Sequence, residues 1–142
     1  MDFTLTKEQQ DIIRAAKKFA LGEFPDRCQE FDREETFDFD IWRNACELGF
    51  VGINLSEESG GAGMGIFELC LIVEEFWVVD AGIALAVIST TFGAELVDTY
   101  GTEEQKKKYI TPLITGKAIM GCAITEPDAG SDTAAATTTA IK

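Results

Sequence analysis

The stretch IFELCLIVEEFWVVDAGIALAVISTTFGAELVDTYG, residues 66 to 101, constrains the fold more than any other part of the chain. Glu74, Glu75 and Asp80 break its apolar run well short of a membrane span. Helical spacing divides it into two strongly apolar helices hinged near Asp80 to Gly82. With so few polar positions neither helix can lie on a surface, so both are expected at the centre of the fold. Glu74 and Glu75 are neighbours that do not face each other on a helix, which makes them structural residues rather than an acid pair.

Three helices are predicted upstream. In LTKEQQDIIRAAKKFALGEF, Thr6 is a candidate N-cap with Gln9 three residues on, and Ile12, Ile13, Ala16, Phe19 and Ala20 share a face. A second helix is expected from about Pro25 toward Arg33. In DFDIWRNACELGF, Ile41, Trp42, Ala45 and Leu48 share a face, and Gly49 marks the stop. The glycine-rich NLSEESGGAGMG, residues 54 to 65, reads as a loop. Downstream, GTEEQKKKYITPLITGK specifies a surface helix capped by Thr102 and ending near Pro112 and Gly116. Trp42, Trp77, Met64, Met120 and the phenylalanines are expected in the core.

After Lys117 the pattern changes. AIMGCAITEP is compatible with a strand, and TAAATTTAIK has threonine's preference for strands. The expected architecture is mainly α: a helical bundle over residues 1–117, then the opening of a β domain over 118–142, cut short at Lys142.

The formal charge of −13, from 12 basic and 25 acidic residues, argues against a nucleic-acid backbone or an anionic membrane as partner. It leaves room for one anionic ligand at a focused set of backbone donors. The chain has no histidine, so it holds no Ser-His-Asp triad and no imidazole acid or base. No metal-ligating set is assigned. Cys28, Cys46, Cys70 and Cys122 show no C-x-x-C pairing and read as reduced, mostly buried thiols. The N-terminus MDFTLTKEQQ has neither the basic start and apolar block of a signal peptide nor the arginines of a transit peptide. A bacterial cytoplasmic location is favoured over the mitochondrial matrix.

The polar chemistry is concentrated in CAITEPDAGSD, residues 122 to 132. As a strand end, it would turn Ile124 toward the core and Thr125 to the opposite side. Pro127 would end the ladder, and Ala129, Gly130 and Ser131 would offer N–H donors able to approach a pyrophosphate. Glu126, Asp128 and Asp132 would repel such a group, so their expected task is to accept hydrogen bonds and hold the turn. On these residues alone an anion cradle and a plain polar turn between two strands both stand.

Three segments in order, NLSEESGGAGMG, YGTEEQKKKYITPLITGK and CAITEPDAGSD, resemble the acyl-CoA dehydrogenase family of flavoproteins. The resemblance implies an N-terminal helical domain followed by a β-barrel domain, FAD as cofactor, and an acyl-CoA thioester as substrate. It implies α,β-desaturation, with hydride passing to flavin N5 and electrons to an electron-transferring flavoprotein. It places Cys122, Ala123, Ile124 and Thr125 along the flavin ring, with Thr125 on its pyrimidine edge. Gly130 and Ser131 fall at the phosphate-side turn, and Ser131 also lies near the acyl-CoA entrance. Ala84, Leu85, Ile88 and Ser89 would face the acyl chain, and their small, apolar character fits a modest uncharged group. The family's catalytic glutamate belongs to a C-terminal helical domain, so no residue of this chain is assigned as the base. A homotetramer is expected for the full-length protein. Acyl-CoA oxidases and flavin monooxygenases of the same architecture, and a non-catalytic scaffold, are the alternatives.

Overall fold

The structure is a computed structural model that describes residues 3–141, so the expected end of the last segment at Lys142 lies outside the described residues. Seven α-helices are present among them: α1 (Lys7–Glu23), α2 (Cys28–Glu34), α3 (Phe39–Glu47), α4 (Ile66–Val79), α5 (Ala81–Ile88), α6 (Ala94–Tyr100) and α7 (Glu103–Ile114). Single 3₁₀ turns lie at Glu57–Ser59 and Thr133–Ala135.

Local chemistry sets most helix ends. Thr6 and Gln9 form a reciprocal capping box on α1, and Thr102 and Gln105 do the same on α7. The Asp38 carboxylate caps α3 by accepting from the amides of Asp40 and Ile41 at 2.8 and 3.2 Å. Gly49, at φ 77°, ends α3: its amide donates to Cys46 O, and that of Phe50 donates to Ala45 O. This paired closure is the Schellman pattern, which needs the left-handed backbone that glycine tolerates.

Four phenyl rings form the centre of the core. Phe19 and Phe24 come from α1 and its end, Phe50 from the segment after α3, and Phe76 from α4, with ring centroids 5.4 to 5.8 Å apart. Edge-to-face and tilted packing of this kind adds to the gain from burying the rings. Phe24 is fully buried, and that anchor holds the chain helical past Glu23. Pro25 therefore sits in the turn, and α2 begins at Cys28 rather than at Pro25.

Several core expectations need correction. Leu48 is exposed because α3 stops at Glu47, and Cys46 takes the buried place instead. Of the four thiols only Cys46 is buried; its Sγ donates to Leu113 O, and burial pushes its pKa up to about 11. The central helices bury one face each, through Leu71, Ile72 and Phe76 on α4 and Ile83, Ala84 and Val87 on α5. Their other faces leave Ile66, Phe67, Trp77, Val78 and Leu85 exposed, so Trp77 is not a core residue. Gly93, at φ 94°, splits off α6, which the apolar pattern had merged with α5.

A second small core joins Leu55 of the glycine-rich loop, Ala94 of α6, and Ile110 and Leu113 of α7, with Ala118 and Met120 packed on it. Gly61 is required in that loop, since a Cβ there would lie 2.3 Å from Leu55 O and 2.7 Å from Gly52 O. The loop is tied to α6 through Asp98, which accepts from Ser56 Oγ at 2.6 Å, from Ser56 N at 2.9 Å and from Ser59 Oγ. Burial works against ionisation of Asp98, but these hydrogen bonds outweigh it and hold the carboxyl below its ordinary range.

Because Phe76 touches the other three rings of the core, Phe76→Ala should lower unfolding free energy by about 3–5 kcal/mol, measured by denaturant titration of the full-length protein.

Candidate functional site

The site begins where α5 ends. The Thr90 and Thr91 hydroxyls donate back to Val87 O and Ile88 O, a local bonding pattern that competes with further helix. The freed Thr90 carbonyl accepts from Met120 N at 2.9 Å, and Thr91 and Met120 form a single parallel bridge. This pairing starts residues 120–125 beside the C-terminal end of α5. Gly93 lies against the same segment, its Cβ position within 3.8 to 3.9 Å of Met120 and Cys122.

From Gly121 to Thr125 the chain runs outside the named helices, and Cys122, Ala123, Ile124 and Thr125 are all exposed. Their backbone N–H groups meet no acceptor among the described residues. Ile124 was expected to face a core, yet it is 64% exposed, because no second layer or partner strand covers this segment among the described residues.

A tight turn follows, in which the Glu126 and Ala129 amides donate to each other's carbonyls at 2.8 and 3.2 Å. Pro127 and Asp128 form its tip, and Ala129 is tucked inward at 4% exposure. Beyond it, the amides of Gly130 and Ser131 and the Ser131 hydroxyl have no acceptor among the described residues. A Cβ at Gly130 would meet nothing within 4 Å, so the backbone there can be approached closely.

The Glu126 carboxylate does what the residue types predicted. Its Oε2 accepts from Thr137 N at 2.8 Å and from Thr137 Oγ1 at 3.0 Å, and its Oε1 accepts from Thr138 N at 2.9 Å. The amide of Thr137, followed by the donors of Thr138 and the Thr137 hydroxyl, draws the carboxyl pKa down to about 2. Nothing in the sequence identified Thr137 and Thr138 as its partners, since they lie eleven and twelve positions further along the chain.

The remaining predicted positions divide by face. Ala84 is fully buried in the aromatic core, where its small side chain lets α5 pack closely. Leu85 is exposed, and Ile88 and Ser89 are half-buried. Hence the exposed side of α5 carries Leu85 with part of Ile88 and Ser89, and it ends at the point where residues 120–125 begin. A cavity of about 420 Å³ lies elsewhere, between α2 and α5, and none of the predicted site residues lines it.

The depressed pKa of Glu126 fixes a pH window. Its stabilising contribution to closure of the 126–138 loop is complete above about 4.5, the ordinary value, and is lost as pH falls through about 2. Amide proton shifts of Thr137 and Thr138 should therefore titrate with a midpoint near 2. A midpoint near 4.5 would show that the carboxylate is not bonded as described.

Comparison with known proteins identifies the family. The family model described as acyl-CoA dehydrogenase, N-terminal domain, matches residues 6–117. A short-chain specific acyl-CoA dehydrogenase of Clostridium acetobutylicum is 37% identical over 99% of this chain and 38% of its own length. The solved glutaryl-coenzyme A dehydrogenase–glutaryl-CoA complex superposes with a TM-score of 0.86 at 34% identity, over 96% of this chain and 35% of that one. A solved FAD complex of PigA gives 0.85 at 31% identity, over 94% and 36%. The chain thus spans little more than a third of the length of these relatives. With residues 6–117 matched by that model, the chain belongs to the acyl-CoA dehydrogenase family.

Proposed function

We propose that this chain forms the N-terminal part of an FAD-dependent acyl-CoA dehydrogenase that introduces an α,β double bond into an acyl-CoA thioester and passes electrons to an electron-transferring flavoprotein. The observation that carries the reading is the exposed, unpaired peptide edge of residues 122–125 leading into a turn with free donors at Gly130 and Ser131.

These residues fit a flavin dinucleotide. Peptide N–H and C=O groups of Cys122, Ala123, Ile124 and Thr125 offer the alternating donors and acceptors that the polar edge of a flavin ring requires, and the Thr125 hydroxyl adds one more. Gly130 and Ser131 offer amides and a hydroxyl to phosphate oxygens, with no Cβ at Gly130 to hold the ligand off. When bound, FAD supplies the two-electron acceptor for the β hydride. The chain's own part is to hold and orient that cofactor beside the α5 face bearing Leu85, Ile88 and Ser89. That face carries no charged side chain, which favours an uncharged acyl group of modest size. In this reading Ser131 serves both the phosphates and the thioester entrance. No residue of this chain takes the role of base.

In this reading residues 1–117 form the helical domain and 118–142 open the middle β domain. The exposed apolar faces of α4, α5 and α6 support burial against further protein, within one full-length chain or in a homotetramer. Among the described residues no helix is long and apolar enough to cross a membrane; the reading takes the site of action as cytoplasmic.

The test uses the full-length protein purified without added flavin. FAD should be present at one per chain, and anaerobic addition of short acyl-CoA thioesters should bleach its absorbance. Re-oxidation should be fast with an electron-transferring flavoprotein and slow with oxygen; a fast oxygen reaction would favour an oxidase, and absence of flavin would overturn the reading. Thr125→Val should weaken FAD binding about five- to tenfold, as expected for one lost hydrogen bond.

A further inference from the structure

The bonding of Glu126 spans more of the site than any other side chain does. Through its own backbone it closes the turn with Ala129, and through its carboxylate it gathers Thr137 and Thr138 from the far side of the loop. Between these two attachments run Pro127 to Ala136, a stretch of small residues that includes Gly130 and the four alanines 129, 134, 135 and 136. Left unattached, such a segment samples many backbone conformations, and a ligand would have to order it on binding. Attached at both ends, with Ala129 tucked inward and a 3₁₀ turn at Thr133–Ala135, it has less conformational freedom left to lose to a ligand.

We propose that Glu126 is a positioning residue of the cofactor site, a latch that holds residues 127–136 in the form that presents the Gly130 and Ser131 donors. The inference rests on the FAD reading above. It assigns to Glu126 no contact with the cofactor or the substrate. The carboxylate works through the loop, and its three accepted hydrogen bonds leave it turned toward Thr137 and Thr138 rather than toward an incoming phosphate.

A purely structural role is separable from this one. Residues 130–141 are all exposed and no core lies beneath them among the described residues, so little of the fold rests on the latch. Glu126→Ala should accordingly leave the thermal midpoint of the flavin-free protein nearly unchanged. In the same protein it should abolish the slow hydrogen exchange of the Thr137 and Thr138 amides.

The cofactor readout is FAD affinity of the full-length protein after flavin removal and retitration. Glu126→Ala should raise the Kd for FAD about tenfold or more, as expected when hydrogen bonds to a charged acceptor are lost. Glu126→Gln should fall between it and the wild type, because one carbonyl oxygen remains to accept while the amide nitrogen faces other donors. Thr137→Val should have the smallest effect, since both backbone bonds survive.

A wild-type protein that binds no FAD would remove the flavin reading and the latch together. Equal FAD affinity in the wild type and Glu126→Ala would overturn the latch alone. Free exchange of the Thr137 and Thr138 amides in the flavin-free wild type would also overturn it, and that measurement needs no variant to fold.

Discussion

The position of the site depends on Thr90. Its hydroxyl accepts from the Trp42 indole at 3.1 Å and donates to Val87 O at 2.7 Å, while its carbonyl accepts from Met120 N at 2.9 Å. One residue, 3% exposed, thereby joins α3 to the end of α5 and fixes where residues 120–125 leave the helical body. Each bond satisfies a group that would otherwise be buried unpaired, and that is the costly condition inside a protein. Trp42 is itself 2% exposed, so its indole N–H has no recourse to solvent. The aromatic core therefore does more than stabilise the fold, because through Trp42 and Thr90 it sets the starting point of the extended segment.

A chain with a formal charge of −13 is an unpromising host for a phosphate-bearing cofactor. Three of its carboxylates are nevertheless occupied by donors of the chain itself. One carboxylate of the turn, Glu126, is committed to three donors, while Asp128 and Asp132 are exposed. Asp98 is committed to Ser56 and Ser59, and Glu68 to Gln9 and the Gly65 amide. All three are held below their ordinary pKa by these bonds, so their lone pairs are occupied within the protein. The donors left over at 130 and 131 are backbone amides, which carry partial positive charge without adding to the formal sum.

Local signals in the sequence were sufficient where the physics is local. Thr6 with Gln9, the Thr102 cap of α7, and Gly49 at the end of α3 each act within a few residues, and each reads correctly from the chain. Failures came where tertiary structure decides. Leu48 continues the apolar spacing of α3, yet the Schellman closure ends the helix one residue too soon for Leu48 to be buried. Trp77 and Ile124 have core composition and lack a covering layer among the described residues. The capture of Thr137 and Thr138 by Glu126 was half legible: the carboxylate's task follows from residue type, but its partners follow only from the path of the chain.

The same distinction explains α5. Periodicity cannot choose a face on a helix that is apolar all round, and AGIALAVI is apolar at every position. What chooses is size and neighbourhood: Ala84 is small enough to sit against the phenyl cluster, with Ile83 and Val87 filling the spaces beside it. That choice turns Leu85 outward and leaves Ile88 and Ser89 at the boundary. Because the inner face is close-packed, the outer face is held rigidly relative to Thr90 and the segment that begins at Met120. A face that looks redundant in sequence, one apolar residue after another, becomes two surfaces: one completes the core, and the other stays outside it and ends where residues 120–125 begin.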